Sequence, residues 1–135
     1  MLFTDVENAL AAVAEEIDEV EEVSVSEPSL RRGFKSPRVF VWIRDGEIRE
    51  LTLGGRTIHL WRFEYVIDAV SGDPAAAYSQ AKKIMWKIYS KLMSDRSLGG
   101  LVRDVRPVSF ERIEAPSEQA YGHRIYLLVE VTVEA

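Results

Sequence analysis

Residues 58–70 read Ile58-His59-Leu60-Trp61-Arg62-Phe63-Glu64-Tyr65-Val66-Ile67-Asp68-Ala69-Val70, and Ser71-Gly72-Asp73-Pro74 follows. Two sets of side chains alternate. His59, Trp61, Phe63, Tyr65, Ile67 and Ala69 point one way; Ile58, Leu60, Arg62, Glu64, Val66, Asp68 and Val70 point the other. A period of two is the signature of a strand. The first set is the expected core face. The second mixes charge with apolar groups, as a partly covered or interface-forming face does. The strand then runs directly into a helix, with Asp73 as N-cap and Pro74 at the first helical position.

Working outward, Ala77, Ala81, Ile84, Ile88 and Leu92 form one stripe of that helix, widened by Tyr78, Met85, Tyr89 and Met93, with Trp86 at its edge. Lys83, Lys87 and Lys91 make a second, basic stripe at spacings of four. Leu98-Gly99-Gly100 ends the segment. Upstream, Val39, Val41 and Ile43 alternate with Phe40, Trp42 and Arg44, which reads as a strand. Asp45-Gly46 reads as a hairpin turn and Gly54-Gly55 as another. At the start, Thr4-x-x-Glu7 has the form of a capping box. Val6, Leu10, Val13, Ile17 and Val20 continue it, so the spacing predicts a helix over 5–21 with an acidic outer face. Val23 to Ser26 reads as a short strand, and Pro28 to Pro37 as an exposed loop carrying Arg31, Arg32 and Lys35. Downstream, 101–106 and 108–113 read as strands bent at Pro107. Ile125, Leu127, Val129, Val131 and Val133 alternate through a closing strand.

Helices placed at separate points beside consecutive hairpins predict an α+β fold. The expected form is an antiparallel sheet with two main helices on one face and an extended hairpin, all in a single domain over 1–135. The length suits one domain with a core of its own. With 17 basic and 22 acidic residues the net charge is -5. That is a poor general match to nucleic acid, whose phosphates call for a basic surface. There is no cysteine, which rules out disulfides, thiolate zinc sites and thiol nucleophiles. No apolar run is long enough to span a membrane. The first residues lack the pattern of a signal peptide. Synthesis in the cytosol is the expectation.

The side chains offer little chemistry. His59 and His123 are the two histidines, and neither stands at a metal-ligand or triad spacing. His59 reads as a packed or edge histidine and His123 as an exposed turn histidine. Glu64 and Asp68 share a strand face but read as surface groups rather than a paired acid and base. The double glycines lack a phosphate-binding frame. No catalytic, cofactor or metal site is expected, and no enzymatic activity. The surfaces carry more. Lys83, Lys87 and Lys91 can meet the acidic first helix of a neighbouring subunit or line a channel for DNA, and opposite charge on two patches of one chain suits head-to-tail association.

The helix opening at Asp73-Pro74-Ala75-Ala76-Ala77, the segment Ser94-Asp95-Arg96-Ser97-Leu98-Gly99-Gly100-Leu101-Val102 and the closing strand together resemble the tail-terminator, or tail-completion, proteins of long-tailed bacteriophages and related prophage elements. The resemblance covers nearly the whole chain through the order and spacing of its parts. It implies a virion protein of the tail, assembled in the host cytoplasm. Such a protein forms a ring, commonly hexameric, that caps the tail tube, stops its polymerisation and provides the head–tail joining surface. Its implied partners are copies of itself, the tail tube protein and a head–tail connector. DNA passes through the lumen without specific binding, and no membrane is involved. The residues expected at subunit contacts or the lumen are Arg31, Arg32, Lys35, Gly54, Gly55, Arg62, Glu64, Lys83, Lys87 and Lys91. Related neck and minor tail proteins share this outline. Outside viruses, the alternative is a binding module that uses Trp61, Phe63 and Tyr65 as a peptide groove.

Overall fold

The computed structural model describes residues 2–28, 36–50, 57–114 and 121–134. The elements are α1 (Leu2–Glu15), β1 (Glu22–Val25), β2 (Arg38–Glu50), β3 (Thr57–Ser71), α2 (Pro74–Ser94), β4 (Asp104–Glu114) and β5 (Tyr121–Glu134). The strands form one five-stranded sheet in the order β1-β2-β3-β5-β4. The fold class is α+β.

β3 is the central strand, and its residues set the rest. It pairs antiparallel with β2 from Arg38↔Asp68 to Glu50↔Thr57. On its other side it pairs with β5 from Ile58↔Glu134 to Ser71↔Tyr121. Directly opposite residues share a face. Trp61, Phe63, Tyr65, Ile67 and Ala69 therefore align with Val39, Val41 and Ile43 on β2. On β5 they align with Ile125, Leu127, Val129 and Val131. These residues join one buried cluster with Val6, Leu10, Ala11 and Ala14 of α1 and Ala81, Ile84, Ile88 and Leu92 of α2. Both helices thus contribute to the same buried cluster as these strand residues. Tyr65 ties the layers together, its hydroxyl donating to the Leu10 carbonyl at 2.7 Å.

Burial pushes the Tyr65 phenol well above its ordinary value. The unfolded phenol ionises near pH 10, whereas the folded one resists. Stability is therefore intact below about pH 10 and falls as pH rises through the folded value. Tyr65→Phe is expected to lower stability at neutral pH by about 1 kcal/mol, the usual worth of a hydrogen bond. It is also expected to flatten the alkaline fall. Urea titrations at pH 7 and 11 measure both; an alkaline limb that keeps its slope in the variant would refute the assignment.

α2 follows its sequence closely. Asp73 caps it by accepting from the Ala75 amide at 3.0 Å, and Pro74 opens it. Ala77, Ala81, Ile84, Ile88 and Leu92 are its buried stripe. The helix ends at Ser94, and the following turn gathers on Asp95. Its carboxylate accepts from the Ser97 hydroxyl at 3.0 Å and the Gly99 amide at 2.9 Å. These bonds hold the Asp95 carboxyl below its usual value, the Ser97 hydroxyl contributing most. Leu98, Gly99 and Gly100 take φ of 50°, 69° and 88°, a left-handed run for which two glycines are well suited.

Four expectations need correction. α1 begins at Leu2 and ends at Glu15, so Thr4 lies inside the helix rather than capping it, and the helix stops short of Glu21. Glu15, Glu16, Asp18 and Glu19 crowd the end where the helix dipole disfavours negative charge. The chain turns there, with Ile17 N–H on the Ala14 carbonyl and Val20 N–H on that of Ile17. Ile17 still reaches the core, at 2% exposure. Second, Asp45-Gly46 is no turn. β2 runs through it with a register shift between Ile43 and Asp45, a bulge that bends the strand. A Cβ on Gly46 would lie 3.0 Å from the Leu60 carbonyl oxygen and 3.0 Å from Trp61 Cδ1, so a side chain there would have to push its neighbours back by a few tenths of an ångström. The hairpin is correspondingly long, and Gly54-Gly55 falls outside the described residues.

Third, the sheet is mixed rather than purely antiparallel. β1 pairs parallel to β2, from Glu22↔Arg38 to Val25↔Val41. Parallel neighbours need a crossover of about a dozen residues, which the stretch 26–37 supplies in length. Fourth, β5 starts at Tyr121 because β3 is long enough to pair with it there. His123 is consequently buried in the sheet, at 8% exposure, and not in an exposed turn.

Candidate functional site: the helix-free face of the sheet

The alternating residues of β2, β3 and β5 present a second face, away from the buried cluster. Arg38, Phe40 and Trp42 come from β2; Asp68, Val66, Glu64, Arg62 and Leu60 from β3; Arg124, Tyr126, Leu128 and Glu130 from β5. Three ion-pair groups lie along it. At one end the Arg124 guanidinium holds Asp68 with two bonds, Nε–Oδ1 at 2.6 Å and Nη2–Oδ2 at 2.7 Å. Arg38 Nη2 stands 3.6 Å from the same carboxylate. All three residues are at most 5% exposed. The Asp68 carboxylate raises the pKa of Arg124. Desolvation lowers that of Arg38, Asp68 partly opposing it.

In the middle, Glu64 accepts from the Trp42 indole at 3.0 Å and from Arg44 at 3.3 Å. At the other end Arg62 meets Asp45 at 2.9 Å, Glu47 at 3.4 Å and Glu130 at 3.7 Å, and Arg106 meets Glu130 at 3.3 Å. The Asp45 hydrogen bond is the main reason the Arg62 pKa is raised. Across the strands, an open hollow of about 350 Å³ is lined by Arg44, Glu64, Ser109, Glu111, Tyr126 and Leu128, among others. Arginine forks fixed by carboxylates give this face a set pattern of charge, since a bidentate pair holds both partners in one geometry.

The expected site residues divide between two surfaces. Arg62 and Glu64 share the helix-free face. Lys83, Lys87 and Lys91 lie on α2, in the other layer, so the structure does not bring them to Arg62 and Glu64. Each lysine has an acidic partner in its own chain: Lys83 and Lys87 pair with Glu19, and Lys91 with Glu16 at 3.1 Å. The Lys87 hydrogen bond is the largest influence holding the Glu19 carboxyl below its usual value. The lysine side chains remain 39–59% exposed. Arg31, Arg32, Lys35, Gly54 and Gly55 lie outside the described residues.

Trp61, Phe63 and Tyr65 are at most 5% exposed beneath the helices. This removes the peptide-groove alternative, which needed them on an open face. The histidines are far apart on the sheet: His59 pairs with Val133 and His123 with Ala69. His59 accepts from the Trp61 indole at 3.2 Å and faces the Thr57 hydroxyl at 3.3 Å; His123 Nδ1 sits 3.2 Å from Arg112. Among the described residues no group of three or more histidine, aspartate or glutamate side chains is placed to hold a metal ion. No described helix is long and apolar enough to cross a membrane.

Sequence reasoning missed Arg38, Trp42 and Arg124. The available signal was charge set among apolar neighbours: Asp68 in Val66-Ile67-Asp68-Ala69 and Arg124 beside Ile125, of opposite sign, on strands destined to pair. No family model and no curated protein matches the chain. Among solved structures, the chain is similar to one from the virion of a native gene transfer agent particle, at 12% identity and a TM-score of 0.45, covering 93% of this chain and 84% of that one.

Proposed function

We propose that this chain is a structural subunit of a phage-like particle, a tail terminator that works by assembling into a ring on the end of the tail tube. The observation that supports it most is the helix-free face. Its open part holds Arg44, Arg62 and Glu130 in a fixed pattern alongside Leu60, Tyr126 and Leu128, with the buried Glu64 anchoring Arg44, a surface suited to shape and charge matching with another protein rather than to turnover. The order of elements and the Leu98-Gly99-Gly100-Leu101-Val102 turn support the same reading. Ring closure takes two different patches per subunit, set at an angle that returns to its start. In this reading Arg62 and Glu64 serve on one patch, with the β2–β3 hairpin about Gly54-Gly55. Lys83, Lys87, Lys91 and the Arg31, Arg32 and Lys35 segment serve on the other or at the lumen. A mixed lining lets DNA pass without being gripped. One ring surface matches the last ring of the tube and the opposite one offers no site for the next, which ends growth and leaves a surface for the head.

Light scattering on a sizing column tests this, over a range of concentrations and with tail tube added. The expected result is a closed assembly of fixed mass, alone or on the tube end, and tubes that stop lengthening when it is present. A protein that stays monomeric in both settings, with tubes growing unchecked, would overturn the proposal.

A further inference from the structure

The sheet has two edges, and they differ. β1 at one edge is four residues long. β4 at the other spans eleven, and residues 108–114 are exposed throughout. Val108, Phe110 and Ile113 are 42%, 65% and 37% exposed. β4 pairs only with β5 among the described strands. An edge strand with unused N–H and C=O groups and exposed apolar side chains is a template for another strand. The bulge between Pro107 and Ser109 disrupts its first half; the second half has no such interruption.

We propose that the β4 edge is a docking surface for β4 of a second copy of this chain, paired antiparallel about a two-fold axis at Phe110. A second copy fits this edge, and the pattern of charge, the bulge and the end of the strand at Glu114 together select the register. Phe110, Arg112 and Glu114 align with Leu127, Ile125 and His123 on one face; Ser109, Glu111 and Ile113 align with Leu128, Tyr126 and Arg124 on the other. With the axis at Phe110, the two phenyl rings face each other and each Glu111 faces a Ser109 hydroxyl. Arg112 is then diagonal to the partner copy's ring, within reach of a cation–π contact. No like charges oppose. With the axis at Glu111 two carboxylates meet, and at Arg112 two guanidinium groups meet; both are destabilising. With the axis at Ser109 both bulges crowd the centre. With the axis at Ile113 only residues 112–114 of the two copies can pair, because β4 ends at Glu114.

The proposal goes beyond the ring reading and does not depend on it, because it uses β4 alone. The chain has no cysteine, so single cysteines report the register directly. The test oxidises Phe110→Cys, Glu111→Cys and Ile113→Cys separately under mild conditions and compares covalent dimer on non-reducing gels. All three positions are exposed, and thermal melts check that each variant folds. The expected result is rapid dimer from Phe110→Cys and at least tenfold less from the other two. In parallel, Phe110→Lys is expected to lower the mass seen by light scattering by this one contact while any larger closed assembly persists. Equal cross-linking at all three positions, a maximum at Glu111 or Ile113, or an unchanged mass for Phe110→Lys would overturn the proposal.

Discussion

Replacing Asp68 by alanine is expected to cost about 3–5 kcal/mol of folding stability, the usual penalty for removing one partner of a buried ion pair. Domains of this kind are stable by about 5–15 kcal/mol in total, so a large fraction would go. The reason lies in what is left behind. Asp68 sits on the central strand and neutralises Arg124 through two short bonds while standing 3.6 Å from Arg38. Without it two guanidinium groups face each other where neither is more than 5% exposed. Asp68→Asn keeps the shape and some hydrogen bonding but not the charge, and is expected to fall between. Asp45→Ala, which takes an exposed partner from Arg62, should leave the urea midpoint nearly where it was, because solvent screens that pair. Urea unfolding with linear extrapolation measures all three. If Asp68→Ala and Asp45→Ala shift the midpoint alike, the buried group is not holding the sheet.

This contrast also marks where the sequence is informative. β3, β5 and α2 are legible because each follows a single rule over many residues: strict alternation, or a 3.6-residue stripe behind an Asp-Pro start. Their core residues follow from the same rules. α1 is legible in its buried face but not in its end, since the acidic cluster at 15–19 acts against the helix dipole while Ile17 stays in the core through a turn. Asp45-Gly46 is a local turn signal overridden by a longer-range fact, the length of β3, which keeps β2 in register past it. The parallel pairing of β1 and the burial of His123 likewise depend on which strands become neighbours. The Arg38–Asp68–Arg124 group is the extreme case, its two shortest bonds joining residues 56 apart in the chain. Arg62 and Glu64 could be placed on a mixed face from alternation alone, but their partners could not. The lysine stripe was visible as a pattern; that Glu16 and Glu19 of the same chain reach it follows only once α1 turns early.

The second large effect is expected from Phe63→Ala, at about 3–5 kcal/mol, the range for deleting a fully buried aromatic ring. Phe63 is 0% exposed on the middle of β3, opposite Ile43 on one side and Val129 on the other, with its ring edge-on to Trp61. The cavity would open between the sheet and the helix layer, where close-packed neighbours relax only in part. Trp86 is the larger residue and lies on the helix that was read from the same kind of pattern. It is 62% exposed and merely stacks on Tyr89. Trp86→Ala should therefore change stability by no more than about 0.5 kcal/mol, as surface substitutions do. Urea midpoints with unchanged slopes would report both values. The ordering is what matters, because size alone predicts the reverse. Comparable losses from the two variants would mean that Trp86 is covered in solution, and the outer face of α2 would then join the surfaces engaged in assembly. A small loss from Phe63→Ala would instead return the aromatic strand to the open and with it the groove reading that its burial removes.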